Sequence, residues 1–291
     1  MAHTNTVLSQ LLGFLPRHEI ESLSFSCDGK RKSNAMNRFT QLVALMIGQL
    51  GGQRSLRDIE SSVHAQSHLR YHLGIGTVSR SSLARSNQGL DADFFVKLFE
   101  RLYSRCAQHA SKHQLGFNGK LFSLDASLID VSMKLFPQTD YNSRKAAFKL
   151  HVGLDHDGLI PAFASLTEGK VSDMEQARKL HFEKGSVVVF DKGYNSYQWH
   201  QSLSDQEVNF VTRIRGNAKY RVLARYPVDK TSPVTSDQLI KYTSVRAQNM
   251  DLEPVRRVGY RCPETGRHYV FITNNHQWPA QLVADIYKQR W

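Results

Sequence analysis

Apolar and polar positions change their rhythm once along this chain, near Gly116. Before that point apolar residues recur at helical spacing. VLSQLLGFL runs to a stop at Pro16, and HEIESLSF gives a further short helical turn. A polar, basic joint, CDGKRKSNAMNR, leads into FTQLVALMIGQL, which is apolar enough for a buried helix and is ended by Gly51 and Gly52. In SLRDIESSV, Ser55 stands three residues before Asp58, the spacing of a capped helix start. TVSRSSLARSNQ repeats that form and presents Arg80 and Arg85. DADFFVKLFERLYSRCAQHA is amphipathic, with Phe94, Phe95, Leu98, Leu102 and Cys106 on one side.

Beyond Gly116 the runs shorten and read as strands. KLFSLDASLIDV, AFKLHVGLDHDG and LIPAFASLT are divided by turns, and Asp157-Gly158 joins the second to the third as a hairpin. SDMEQARKLHF predicts a capped helix, with Ser172 at its start and Glu175 three residues on. GSVVVFDKGY is an almost wholly apolar strand ending on a charge, the pattern of a central strand covered on both faces. A helix over NSYQWHQSLSDQ and a strand over VNFVTRIR follow. Residues 217 to about 280 then break the α/β rhythm with four strand candidates, YRVLARYP, QLIKYTSV, VRRVGYR and HYVFITNN. PAQLVADIYKQRW starts a helix after Pro279. The expected organisation is an all-helical region over 1–115 and an α/β domain over 116–291 carrying a β-rich insertion at about 217–280.

Composition narrows the partners. The 291 residues suffice for two modest domains, and with 41% hydrophobic and 22% charged residues no disordered tract stands out. The formal net charge of +12 favours a polyanion, nucleic acid or an anionic membrane, without choosing between them. No apolar run approaches the ~20 residues of a membrane span, and MAHTNTVLSQ lacks the features of a secretion signal. Cys27, Cys106 and Cys262 lie far apart, with no zinc spacing, which suggests buried thiols in a reducing compartment. A cytoplasmic protein acting on DNA fits these features together.

Two acids stand out. Alternation in LFSLDASLI places Phe122, Leu124 and Ala126 toward one face and Ser123, Asp125 and Ser127 toward the other. An acid in mid-strand is either on a solvated face or paired, with a metal as one partner. Asp191 closes VVVFD, at the carboxyl end of a central strand, where sites of open α/β sheets gather; a turn or cap before Gly193 is the plainer reading. The two strands are natural neighbours, so the carboxylates face each other across one pairing distance. They then repel unless a cation lies between them. Mg²⁺ or Mn²⁺ suits carboxylate oxygens, and two such ions roughly 3.5–4 Å apart support phosphodiester hydrolysis and strand transfer. Two ions need a third acid. Asp130 and Asp140 qualify only if the strand register is off; Asp155 and Asp157 read as turn residues; His64 and His68 share a helical face but lack an acid to complete a zinc site.

Basic residues cluster as well. From Val211 to Arg261 there are eleven Lys or Arg against four Asp or Glu, and Arg213, Arg215, Lys219 and Arg221 form a stripe suited to phosphates or to plain solvation. Arg144 and Lys145, ahead of the second strand, reach toward the same phosphates. Lys30, Arg31, Lys32 and Arg38 make a second cluster. Arg80 and Arg85, with Ser79, Ser81 and Asn87, are the best recognition-helix candidate. Tyr194 and Trp199 either stack on a base near the DNA end or belong to the core.

The strand order, the two acids and the segment DKGY together resemble the DDE-type transposases of bacterial insertion sequences, and the resemblance runs the whole length. FLPRHEIESLSFSCDGKRKSNAMNRFTQLVALMIGQLGGQRSLRDIES, HLRYHLG and VSRSSLARSNQ resemble the helical DNA-binding region of one branch. The resemblance implies a ribonuclease H-like fold with an insertion after the second acid. It assigns Asp125 and Asp191 as catalytic metal ligands, the second within an Asp-x-Gly-Tyr motif with Gly193 and Tyr194. Tyr287 and Arg290 match the opening of the family's Tyr-x-x-Arg-x-x-x-Glu pattern, whose Glu falls at about position 294 by that spacing, beyond the 291 residues. The implied activity of the intact form is Mg²⁺- or Mn²⁺-dependent cleavage at terminal inverted repeats and joining to target DNA, by a homodimer on double-stranded DNA. A chain truncated before the Glu is expected to be inactive. A DNA-binding relic that inhibits transposition, or a simple metal-dependent nuclease, are the alternatives.

Overall fold

The computed structural model describes residues 7–29, 36–131, 140–142, 145–250 and 252–290. The chain forms two compact units, residues 1–102 and 103–291.

The first unit is helical: α1 (Val7–Gly13), α2 (Arg17–Asp28), α3 (Arg38–Leu50), α4 (Leu56–Ala65), α5 (Arg70–Leu73), α6 (Arg80–Gly89) and the first turns of α7 (Asp93–His109). Side-chain caps start three of these helices. Asn37 accepts from the Thr40 N–H, Ser55 from Asp58 and Ser79 from Ser82, so the predicted start at Ser55 is present. Val43, Ala44, Ile59, Val63, Leu83 and Phe94 pack into one core. Cys106, expected on the apolar side of α7, is exposed, and Cys27 is only half-buried; of the three thiols Cys262 alone is buried.

Arg38 corrects the reading of a basic cluster before α3. Its side chain is 1% exposed, and its guanidinium donates twice to Asp28 at 2.7 Å, once to the Asp91 carbonyl, and lies over the Phe94 ring. The charge is spent inside the unit. Lys30, Arg31 and Lys32 lie outside the described residues.

The second unit is built on a ten-stranded sheet. In chain order it holds β1 (Leu121–Val131), β2 (Asp140–Asn142), β3 (Lys145–Asp155), β4 (Ile160–Glu168), α8 (Asp173–Ala177), β5 (Val187–Phe190), a 3₁₀ turn over Lys192–Tyr194, α9 (Tyr197–Asp205) and β6 (Asn209–Arg213). The remainder comprises β7 (Tyr220–Tyr226), β8 (Val234–Tyr242), α10 (Val245–Gln248), β9 (Val255–Arg261), β10 (His268–Thr273) and α11 (Ala280–Lys288). β4, β3 and β1 run antiparallel in that order, and β5 and β6 continue parallel to β1. This is the expected ribonuclease H-like arrangement, including the predicted adjacency of β1 and β5. The predicted hairpin between β3 and β4 is present, but as a four-residue turn closed by Asp155↔Ile160, with positive φ at Gly158 (74°) and Leu159 (54°) and not at Asp157.

One expectation changes. The helix read over SDMEQARKLHF stops at Ala177: Ser172 caps it as predicted, but Leu180 and Phe182 turn inward onto the core and end it. The sequence left open how the strands of the β-rich stretch pair, and the structure joins them to the main sheet. β10 pairs antiparallel with β6, so β7 to β10 prolong the main sheet.

Alternation along the strands gives the sheet two cores. Leu124, Val188, Phe190 and Phe210 face one, with Trp199 and Leu203 of α9. Leu121, Val187, Val189 and Val211 face the other, under Val283, Ala284, Ile286 and Tyr287 of α11. Among the described residues no helix is long and apolar enough to cross a membrane.

Candidate catalytic carboxylates

β1 and β5 pair in parallel register from Leu121↔Val187 to Leu124↔Phe190. Asp125 and Asp191 are each the next residue, so they stand on neighbouring strands at one level of the sheet, Asp125 within β1 and Asp191 just past the end of β5. They share the side-chain parity of Leu121 and Val189, which puts both on the face that α11 covers. Val187, Val188, Val189 and Phe190 are wholly buried, and this apolar strand fixes where Asp191 emerges.

Asp125 is exposed; its Oδ1 accepts from the Ala126 N–H at 3.0 Å. Asp191 is half-buried and more heavily supported. Its Oδ1 accepts from the Lys192 N–H at 2.7 Å, from Arg213 Nη2 at 3.2 Å and from Tyr287 Oη at 3.4 Å. Burial by itself pushes this carboxyl up, but the Lys192 N–H and the charges of Arg290 and Arg213 outweigh it and hold the group below its ordinary range. Arg213 and Arg290 both lie over the Tyr287 ring, with guanidinium carbons 5.9 and 5.7 Å from its centroid. The Tyr287 and Arg290 expected from the sequence therefore do converge on Asp191.

Tyr194 is buried against Phe190 and Trp199, so in this conformation it is a core residue rather than a surface for a base. Burial drives its phenol well up, and Asp173, Asp125 and Asp191 add to the shift. Gly193 is exposed beside it; a Cβ there would lie 3.8 Å from Asp173 Oδ2. Asp173 is the acid that sequence reading missed. It sits at the first position of α8, 3.0 Å from Lys149 Nζ in an ionic contact without hydrogen-bond alignment, and 4.0 Å from His151 Nδ1. The sequence pattern singles out only Ser172 and Glu175 of that helix start, and Asp173 between them carries no signal of its own.

The stripe predicted around Arg213 divides. Arg213 turns to Asp191, whereas Arg215, Lys219 and Arg221 are exposed. Arg144 and the side chain of Lys145 lie outside the described residues, as does most of the side-chain detail around Asp140. In the first unit Arg80 and Arg85 are exposed on α6; Ser79 is used as its cap, and Asn87 accepts from Gln41 Nε2 at 2.8 Å.

The pair Asp125–Asp191 offers hard oxygen donors on two neighbouring interior strands of the sheet, which fits a divalent cation. Among the described residues no group of three or more His, Cys, Asp or Glu completes a metal site.

Residues 117–291 match the family described as Transposase DDE domain, and residues 3–76 match a domain of unknown function, DUF4372. Among curated proteins, a putative transposase, y4zB, of Sinorhizobium fredii is 28% identical over 52% of this chain and 43% of its own length. A probable transposase for insertion sequence element IS5377 of Geobacillus stearothermophilus is 22% identical over 86% of this chain and 69% of its own. The chain thus spans less than half of the first relative. A solved piggyBac transposase synaptic complex with hairpin DNA is 12% identical, covering 98% of this chain and 66% of that one, and its TM-score of 0.44 carries no argument. The match over residues 117–291, which contains both carboxylates and α11, places the chain in the DDE transposase family.

Proposed function

We propose that this chain carries the DNA-binding and catalytic parts of an insertion-sequence transposase, with Asp125 and Asp191 as ligands for Mg²⁺ or Mn²⁺. The observation that carries this reading is the parallel register of β1 and β5, which brings Asp125 within β1 level with Asp191 just past β5. Asp125 and Asp191 would hold the cation, which would supply Lewis-acid activation of an attacking oxygen and stabilisation of a leaving one. The chain's own residues prepare the site. Lys192 N–H, Arg213 and Tyr287 hold Asp191 ionised and oriented. Arg290 adds positive charge where a phosphate is drawn in. α11 brings Tyr287 to Asp191.

The helical region over 1–115 is assigned to double-stranded DNA at terminal inverted repeats, with Arg80 and Arg85 of α6 as the reading residues. The net charge of +12 supports a polyanionic partner, and a homodimer on paired ends with target DNA is the proposed assembly. A second reading is that the chain binds DNA without cutting it and inhibits transposition; among the described residues no third acid joins Asp125 and Asp191 in a metal-binding group.

The test is Mn²⁺-dependent cleavage of the element's end DNA by residues 1–291 and by a chain extended past Trp291 to the Glu that the family pattern sets at about position 294. Cleavage by the extended chain alone, lost on Asp125→Asn or Asp191→Asn, is the expected result. Equal cleavage by both chains shows that an acid already present completes the site. DNA binding with no cleavage by either leaves the inhibitor reading standing.

A further inference from the structure

A cleft of about 450 Å³ opens in the second unit beside the core that holds Met174 and Tyr242. Four cations line it from three directions: Arg178 just past α8, Arg215 and Lys219 from the connection between β6 and β7, and Arg246 of α10. Among the described residues no acid lines it. Arg178 donates to Ser196 and Gln198, both uncharged, and among the described residues no carboxylate forms an ion pair with Arg215, Lys219 or Arg246. Four like charges around one concavity repel each other and concentrate positive potential in it, a state that an anion relieves.

The cleft adjoins the catalytic end of the sheet. Asn195, on its wall, donates through Nδ2 to the Arg213 carbonyl at 2.8 Å, and the Arg213 guanidinium reaches Asp191. Its wall also carries the Tyr197–Tyr242 ring pair, with centroids 4.7 Å apart. Cations beside aromatic rings are how proteins grip unpaired strands without reading sequence. The volume is in the range of a pocket for a small ligand; it takes roughly one nucleotide and excludes a duplex.

We propose that this cleft holds the sugar-phosphate backbone of an unpaired DNA strand beside the reacting end, an inference that rests on the transposase reading above. Arg178 and Arg246, which have no part in the carboxylate site, are its distinguishing contacts.

Fluorescence anisotropy of a labelled oligothymidylate and a labelled duplex, titrated with the full chain in EDTA across a salt series, tests it. Arg178→Gln combined with Arg246→Gln is expected to weaken single-strand binding about tenfold and to flatten the log–log salt slope by about 1.4, at roughly 0.7 per lost phosphate contact. Duplex binding, assigned to α6, stays within about twofold. Lys219→Gln, in a surface connection, is the second variant should the double substitution melt early by circular dichroism; it is expected to remove about 0.7 of slope. An unchanged slope in a folded variant overturns the cleft while leaving DNA binding intact. Absence of binding to either DNA by the unsubstituted chain instead overturns the transposase reading. A mononucleotide that competes as tightly as the oligonucleotide assigns the cleft to a free nucleotide, and also overturns the proposal.

Discussion

Asp191 receives three donors on one oxygen, and they come from the 3₁₀ turn, β6 and α11. The Tyr287 hydroxyl is the most distant in sequence. Tyr287→Phe keeps the ring under Arg213 and Arg290 and removes only that hydrogen bond. In the extended chain it is expected to lower Mn²⁺ affinity or cleavage by about 10- to 100-fold, the usual effect of losing support behind a metal ligand; calorimetric Mn²⁺ titration checks it. His200 gives a pH prediction at the same scale. Burial, helped by the charge of Arg215, pushes this imidazole down to about 3, and neither ring nitrogen has a hydrogen-bond partner among the described residues. The unfolded chain takes up this proton below about 6.5 while the folded one refuses it until about 3. Stability is therefore complete above about 6.5 and falls as pH drops toward 3. His200→Phe, stacking on Phe210 as the imidazole does at 4.5 Å, is expected to lose less stability over that window in urea melts. The acids themselves were legible, because period-two alternation and a run of four apolar residues ending in Asp leave little choice. Arg38 was not: a cation beside a basic joint looks like surface until Asp28 and Phe94 are seen to enclose it.

Among the elements, β8, β9 and the segment before α11 are tied by one arginine. Arg256 donates to both oxygens of Asp237, at 2.8 and 2.6 Å, and also to the Trp278 carbonyl; the paired side chains are 7% and 6% exposed. Removing one partner of such a pair leaves a buried charge. Arg256→Met is expected to cost about 3–5 kcal/mol, and the double substitution Arg256→Met, Asp237→Leu clearly less, as measured by chemical denaturation. The strands here were legible from their β-branched and aromatic runs. Their partners were not, since the pairing of Phe271 with Arg213 joins residues far apart in sequence and leaves no local pattern. α8 shows the opposite limit: its cap was visible, but what ended it was the pull of Leu180 and Phe182 into a core that no local window contains.

For the whole molecule, the charge of +12 is divided between pairs that hold the fold and cations left at the surface. Arg38, Arg213 and Arg256 belong to the first group; Arg80, Arg85 and Arg215 are exposed. Duplex affinity is accordingly expected to fall steeply with salt, and Arg80→Gln with Arg85→Gln to flatten the log–log slope by about 1.8, near 0.9 per lost phosphate contact. An unchanged slope places the duplex elsewhere.

The pairing of β10 with β6 has one more consequence. β6 carries Phe210, Val211 and Thr212, all buried, and β10 covers its outer side. Cutting out residues 217–280 as though they were a detachable module would strip that cover and expose a flat apolar edge, a template for intermolecular strand addition. Such a deletion is expected to elute as aggregate in size-exclusion chromatography rather than as a smaller folded core, so any shortened form of this protein that stays in solution must keep β10.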